Sequence, residues 1–136
     1  MRWLLLGLCL VLGLGFLVFA VEMIAAENGE VIVLRTRDES GRTRDVRLWV
    51  VDEGDRPWVR AGHGRAGWLE SLRESPDVEI VRDGITTGMR AVPDTTARDR
   101  VNALMAEKYG WADRLWSHIL DRGKSVPIRL DAPPAP

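Results

Sequence analysis

Cysteine is nearly absent from this chain. Cys9 is the only one, and it lies inside an apolar leader, so no intrachain disulfide can form. Histidine is limited to His63 and His118, which share no metal-ligand spacing with each other or with cysteine, and this argues against a structural zinc site. No Walker A loop, G-x-S-x-G elbow or H-E-x-x-H helix is present, so several large enzyme classes fall away. Nor is there an excess of one charge. The formal net charge is −1, with acids and bases interspersed, and the basic stripe that a nucleic-acid partner requires is missing. Lysine is confined to Lys108 and Lys124, so the cations are almost all arginine. What the chain does possess is arginine, six tryptophans and one long apolar run.

That run carries no charge from Trp3 to Val21, and Glu22 interrupts it only shortly before Ala26 closes the segment. About twenty apolar residues at ~1.5 Å rise per residue cover a hydrocarbon core of ~30 Å. Signal-peptide apolar regions run ~7–15 residues, so length favours a retained anchor over residues 1–26. A cleaved leader, with Val18-Phe19-Ala20 as the permissible cleavage site, is the alternative and would give an exported soluble domain. Arg35, Arg37, Arg42 and Arg44 outnumber Arg2 as flanking cations, and the positive-inside rule then favours a cytoplasmic domain.

Residues 27–131 are enough for one domain. The β-branched stretch 30–36 reads as a strand, Asp38-Glu39-Ser40-Gly41 as a turn, and 44–51 as a second strand. A short third strand spans 57–61. Links this short require antiparallel pairing. A helix is expected over 68–74, stopped by Ser75-Pro76, and then a hairpin of 78–82 with 85–92 across Asp83-Gly84. Asp94-Thr95-Thr96 offers N-cap oxygens for a helix ending at Tyr109 with Gly110 as its stop. Val101, Leu104, Met105 and Tyr109 form the face of that helix expected to pack on the sheet. Trp111, Leu115, Trp116, Ile119 and Leu120 mark a further helical segment, and 125–130 a last strand whose Pro127 suits an edge. The tail 132–136 has no core to join and is expected to be disordered. The order points to a small barrel-like sheet with helices packed outside it.

Alternation on the second strand places Asp45, Arg47, Trp49 and Val51 on one face and Arg44, Val46, Leu48 and Val50 on the other. Trp58 and Arg60 share a face of the third strand. Arginine beside tryptophan fits two readings: a clasp for a planar anion, or mutual stacking at the rim of an ordinary sheet. The loop Gly62-His63-Gly64-Arg65-Ala66-Gly67 leads into a helix N-terminus, and its glycines allow backbone N–H groups to converge on an anion. A mobile surface loop explains the same residues. No nucleophile, base and orienting acid stand together, so any redox chemistry would belong to a bound cofactor.

Four stretches taken in order, 40–54, 59–64, 68–78 and 121–130, resemble the small deazaflavin-dependent nitroreductase-like proteins of the FMN-binding split-barrel (pyridoxamine-phosphate-oxidase-like) superfamily. The resemblance implies a mainly β, α+β fold: a six-stranded antiparallel split barrel with flanking helices, here preceded by one transmembrane helix. It implies FMN or a deazaflavin as cofactor and hydride transfer to quinone- or nitro-type acceptors. Ser40, Gly41 and Arg44 match the family's first turn, which makes Arg44 a phosphate candidate, and Ala61–Gly64 match its glycine loop. Asp38-Glu39 replace the family's basic pair, and Leu69 replaces a tyrosine after Trp68. The expected cofactor site comprises Arg44, Arg47, Trp49, Arg60, Gly62, His63, Gly64, Arg65 and Trp68, with no metal. Expected partners are the bilayer, through residues 3–26, and a small-molecule cofactor, with a homodimer left open. A non-catalytic binding module that keeps the barrel but has lost its cofactor is the alternative, favoured by the Asp38-Glu39 inversion and the missing tyrosine.

Overall fold

The computed structural model describes residues 1–27 and 29–135, and side chains outside residues 22–27. Helix α1 (Arg2–Glu27) is the apolar leader; its stretch Arg2–Val21 has mean hydropathy 2.9 and no share buried against the rest of the chain. It is long and apolar enough to cross a membrane.

Six strands follow: β1 (Val31–Arg37), β2 (Thr43–Glu53), β3 (Arg56–Ala61), β4 (Asp77–Arg82), β5 (Ile85–Pro93) and β6 (Val126–Asp131). All neighbours are antiparallel, and the sheet closes in the order β1-β2-β3-β6-β5-β4. Representative registers are Leu34↔Val46, Val50↔Val59, Val59↔Ile128 and Ile80↔Thr87. Asp83 (φ 52°) and Gly84 (φ 76°) both adopt the left-handed backbone that a two-residue hairpin turn demands. Closure removes the exposed edges that an open sheet would leave.

The barrel interior is filled by alternate residues: Ile32 and Leu34 of β1, Val50 of β2, Val59 and Ala61 of β3, Ile80 of β4, Ile128 and Leu130 of β6. Helix α2 (Gly67–Glu74) adds Leu69 and Leu72, both fully buried, to this same cluster. It therefore flanks the barrel, as the sequence implied, and covers its interior with these two side chains. A second cluster lies on the outer face of β2 and β3, where Val51 and Trp58 meet Ala97, Val101 and Met105. Helix α3 (Arg98–Tyr109) supplies most of that layer. Asp94 caps the 3-10 turn before it by accepting from the Thr96 N–H, and Gly110, at φ 51°, ends it.

Helix α4 (Trp111–Ser117) is shorter than the apolar spacing implied. Past Ser117 the chain tightens: the Ile119 and Leu120 N–H groups both return to the Trp116 carbonyl, which puts those two side chains in a turn. Pro127 is a second difference, because β6 is paired on both sides and has no edge. The missing N–H is tolerated because pairing with β5 begins one residue later, at Ile128↔Pro93. Residues 132–135 of the tail are exposed and without regular structure, and Pro136 lies outside the described residues.

Candidate functional site

The two faces of β2 separate the arginines. Leu48 and Val50 belong to the barrel interior cluster, while Trp49 and Val51 join the layer beneath α3. Arg47 shares the outer face with Trp49, and Arg60 shares it with Trp58 on β3. Against this face α3 and α4 leave a pocket of about 620 Å³. That volume falls within the roughly 300–1,000 Å³ of small-molecule sites. Arg47, Trp49, Arg60 and Gly62 line it from the barrel side, and Trp111, Leu115 and Trp116 from α4. Leu120 and Arg122, from the stretch that follows, complete the wall.

The polar centre is built on one acid. Asp113 sits on the buried side of α4, with its side chain only 7% exposed. Its Oδ1 accepts from Arg60 at 2.6 Å and from Arg122 at 2.8 Å. Arg60, 5% exposed, gives its other terminal nitrogen to Asn102 on α3 at 3.0 Å. Two guanidiniums thus share a single carboxylate. Burial, with Arg60 adding like charge, pushes the Arg122 guanidinium below its ordinary value. The Arg122 Nε–H is buried without a hydrogen-bond partner. Arg47 has no carboxylate partner among the described residues. Among the described residues, three guanidiniums thus line the pocket and one carboxylate, Asp113, pairs with two of them, a surplus that attracts an anion.

The aromatic walls are partly committed already. Trp49 stacks on Tyr109, with ring centroids 4.4 Å apart and planes 8° from parallel. Arg100, from outside the pocket, lies 5.5 Å above the Trp58 ring. Trp111 packs edge-on against Phe19 of α1 at 5.7 Å.

Of the nine residues expected from the sequence, the structure brings four into this pocket: Arg47, Trp49, Arg60 and Gly62. The other five lie elsewhere. Arg44, on the opposite face of β2, reaches the start of α2, where its Nη1 lies 2.7 Å from the point a Cβ on Gly67 would occupy. His63, Gly64 and Arg65 are exposed, and the His63 Nδ1 is engaged locally by the Arg65 N–H at 3.1 Å. None of Gly62, Gly64 and Gly67 has a left-handed φ, so the loop does not use the freedom that its glycines offer. Trp68 packs against the barrel interior cluster. Sequence reasoning missed Asp113, Arg122, Trp111 and Trp116 as site residues. The signal for Asp113 was its position in W-A-D-R-L-W, the one acid in an otherwise largely apolar helix.

No family model matches the chain, and no curated protein matches it. Solved structures do. The heme storage protein HutZ from Vibrio cholerae is 20% identical, over 81% of this chain and 86% of its own, with a TM-score of 0.61. An F420-H2-dependent reductase, FDR-A, is also 20% identical, over 74% and 93%, with a TM-score of 0.59. A putative pyridoxamine 5′-phosphate oxidase from Listeria innocua is 14% identical, over 79% and 87%, with a TM-score of 0.56. The fold is a split barrel. At such identities the likeness establishes the fold alone, and the split barrel places the pocket on the outer face of β2 and β3, beneath α3 and α4.

Proposed function

We propose that this chain is a membrane-anchored split-barrel protein that binds a ring-bearing anion of the FMN or deazaflavin type and serves as an oxidoreductase. The observation that carries the reading is the pocket beneath α4, lined by Arg47, Arg60 and Arg122 beside Trp49, Trp111 and Trp116, with Asp113 pairing two of the three guanidiniums. The donor set fits such a group. The orphaned Arg122 Nε–H is a ready partner for a phosphate oxygen, and the apolar and indole walls suit a ring.

In this reading Arg60 and Arg122 hold the phosphate, Arg47 adds charge at the rim, and α4 keeps bulk water from the ring. Hydride donation to a quinone- or nitro-type acceptor is the chemistry that the cofactor supplies when bound. Arginine is the only ionisable residue type in the pocket lining, so the chain orients and desolvates, and the acceptor's proton comes from solvent. This reading assigns no phosphate contact to Arg44, the sequence's first phosphate candidate, which lies at the start of α2. Reductases and a heme storage protein among the similar structures are consistent with redox or tetrapyrrole-type cargo on this fold. The anchor, with the domain on the cytoplasmic side where flavins are supplied, would bring the pocket to lipid-soluble acceptors.

The Asp38-Glu39 pair in place of the family's basic pair, and Leu69 in place of its tyrosine, favour a second reading, a non-catalytic module that binds the same kind of anion. One experiment addresses both. The detergent-solubilised protein is examined for its visible spectrum and then titrated with FMN and with a deazaflavin. Saturable binding of either, followed by reoxidation of the reduced complex by a quinone, supports the oxidoreductase. Binding without turnover supports the module. A colourless protein that binds neither removes both, and an Arg44→Ala variant is expected to bind as the wild type does.

A further inference from the structure

Two large apolar side chains outside α1 stand in water beside the pocket. Trp116 is 45% exposed and Ile119 is 68% exposed, three residues apart at the end of α4. They continue a surface already tied to α1, because Trp111 at the start of α4 packs on Phe19. Phe19 lies two residues inside the end of the apolar stretch Arg2–Val21, or ~3 Å along the helix axis. With α1 in a bilayer, Trp111 then stands at the level where hydrocarbon gives way to headgroups.

The charge around the patch suits the same level. Arg114 and His118 are exposed beside Trp116 and Ile119. Of the two acids between residues 110 and 121, Asp113 is buried beneath its guanidiniums. Asp121 caps the Gly123 N–H and lies 4.0 Å from Lys124. Indole and aliphatic side chains bordered by an arginine suit an interfacial helix, and tryptophan prefers the headgroup layer.

We infer that α4 and the turn after it rest on the membrane surface, with Trp116 and Ile119 inserted among the lipid headgroups. The inference depends on the anchor reading of α1 and deepens it. Trp111, Leu115, Trp116 and Leu120 also line the pocket, so its mouth opens at the lipid surface. A hydrophobic acceptor reaches the site from the headgroup layer without crossing bulk water.

The test uses the full chain carrying Cys9→Ser, with Ile119→Cys labelled by an environment-sensitive fluorophore. Ile119 is outside the pocket lining, so the label leaves the site untouched. The protein is reconstituted into vesicles of phosphatidylcholine and phosphatidylglycerol, and Ile85→Cys at the β4–β5 turn, 67% exposed, is the control. The expected result is blue-shifted emission at 119 that headgroup-level nitroxide lipids quench and aqueous iodide does not, while the label at 85 responds only to iodide. A chain that alkaline carbonate strips from the vesicles overturns the anchor and this inference together. A chain that stays in the vesicles but exposes 119 to iodide overturns this inference alone. So does a label at 119 shielded from both quenchers and cross-linking between two copies, which would assign the patch to a dimer.

Discussion

Replacing Asp113 by alanine strands two guanidiniums in a place where neither can be well hydrated. Arg60 is 5% exposed and Arg122 17%, and among the described residues Asp113 is the only carboxylate either touches. Breaking a buried pair by removing one partner costs about 3–5 kcal/mol, most of it the uncompensated charge left behind. A denaturant titration of Asp113→Ala should show a loss of that order, and added phosphate should restore part of it by standing in for the carboxylate. Retention of wild-type stability would mean that water already reaches both arginines. The same residue shows where sequence reasoning stops. Period-two alternation on β2 and β3 correctly put Arg47 with Trp49, and Arg60 with Trp58, on one face. Nothing in the strands revealed what covers that face, because the covering acid is 53 residues from Arg60 along the chain.

Among the elements, one cluster of charges ties β1, β2, β4 and α3 together just after α1. Arg82 of β4 donates to Glu30, immediately before β1, at 2.7 Å and to Asp52 of β2 at 2.6 Å. Lys108 of α3 reaches Glu30 and the Val50 carbonyl, and the Tyr109 hydroxyl accepts from the Val50 N–H at 3.1 Å. Hydrogen bonds from Arg82, and for Glu30 also from Lys108, hold both carboxyls below their ordinary values. A folded-state value below the unfolded one stabilises the protein above the unfolded carboxyl range of about 4, and that contribution fades as pH falls through the folded value. Thermal unfolding followed from neutral pH downward should therefore show a decline below about pH 4–5. An Arg82→Met variant should be less stable at neutrality and show a shallower acid decline, and parallel curves for the two proteins would refute the clamp. The elements themselves were largely legible. β-Branched runs, Asp83-Gly84, the Asp94 cap and the Gly110 stop are local signals, each enforced by backbone geometry. The end of α4 and the setting of Pro127 were not, since helix tightening after Ser117 and barrel closure both depend on contacts outside the local stretch.

For the whole molecule, the split barrel is the scaffold and the pocket beneath α4 is its distinctive surface. The barrel interior is filled by buried apolar side chains. Its outer face carries the surplus of positive charge, and α4 links that face to α1 through Trp111 and Phe19. The resemblance read from the sequence led to the correct fold, and its candidate site residues fall on both sides of β2, four of them in the pocket. The most direct test of the pocket compares FMN with riboflavin, which differ by one phosphate, on the wild type and on Arg122→Gln. A charge-assisted hydrogen bond contributes about 1.5–3 kcal/mol, so FMN affinity should fall by roughly 10- to 150-fold in the variant. Riboflavin affinity should stay unchanged. Equal losses for both ligands, or undiminished FMN binding, would contradict a phosphate held beneath α4.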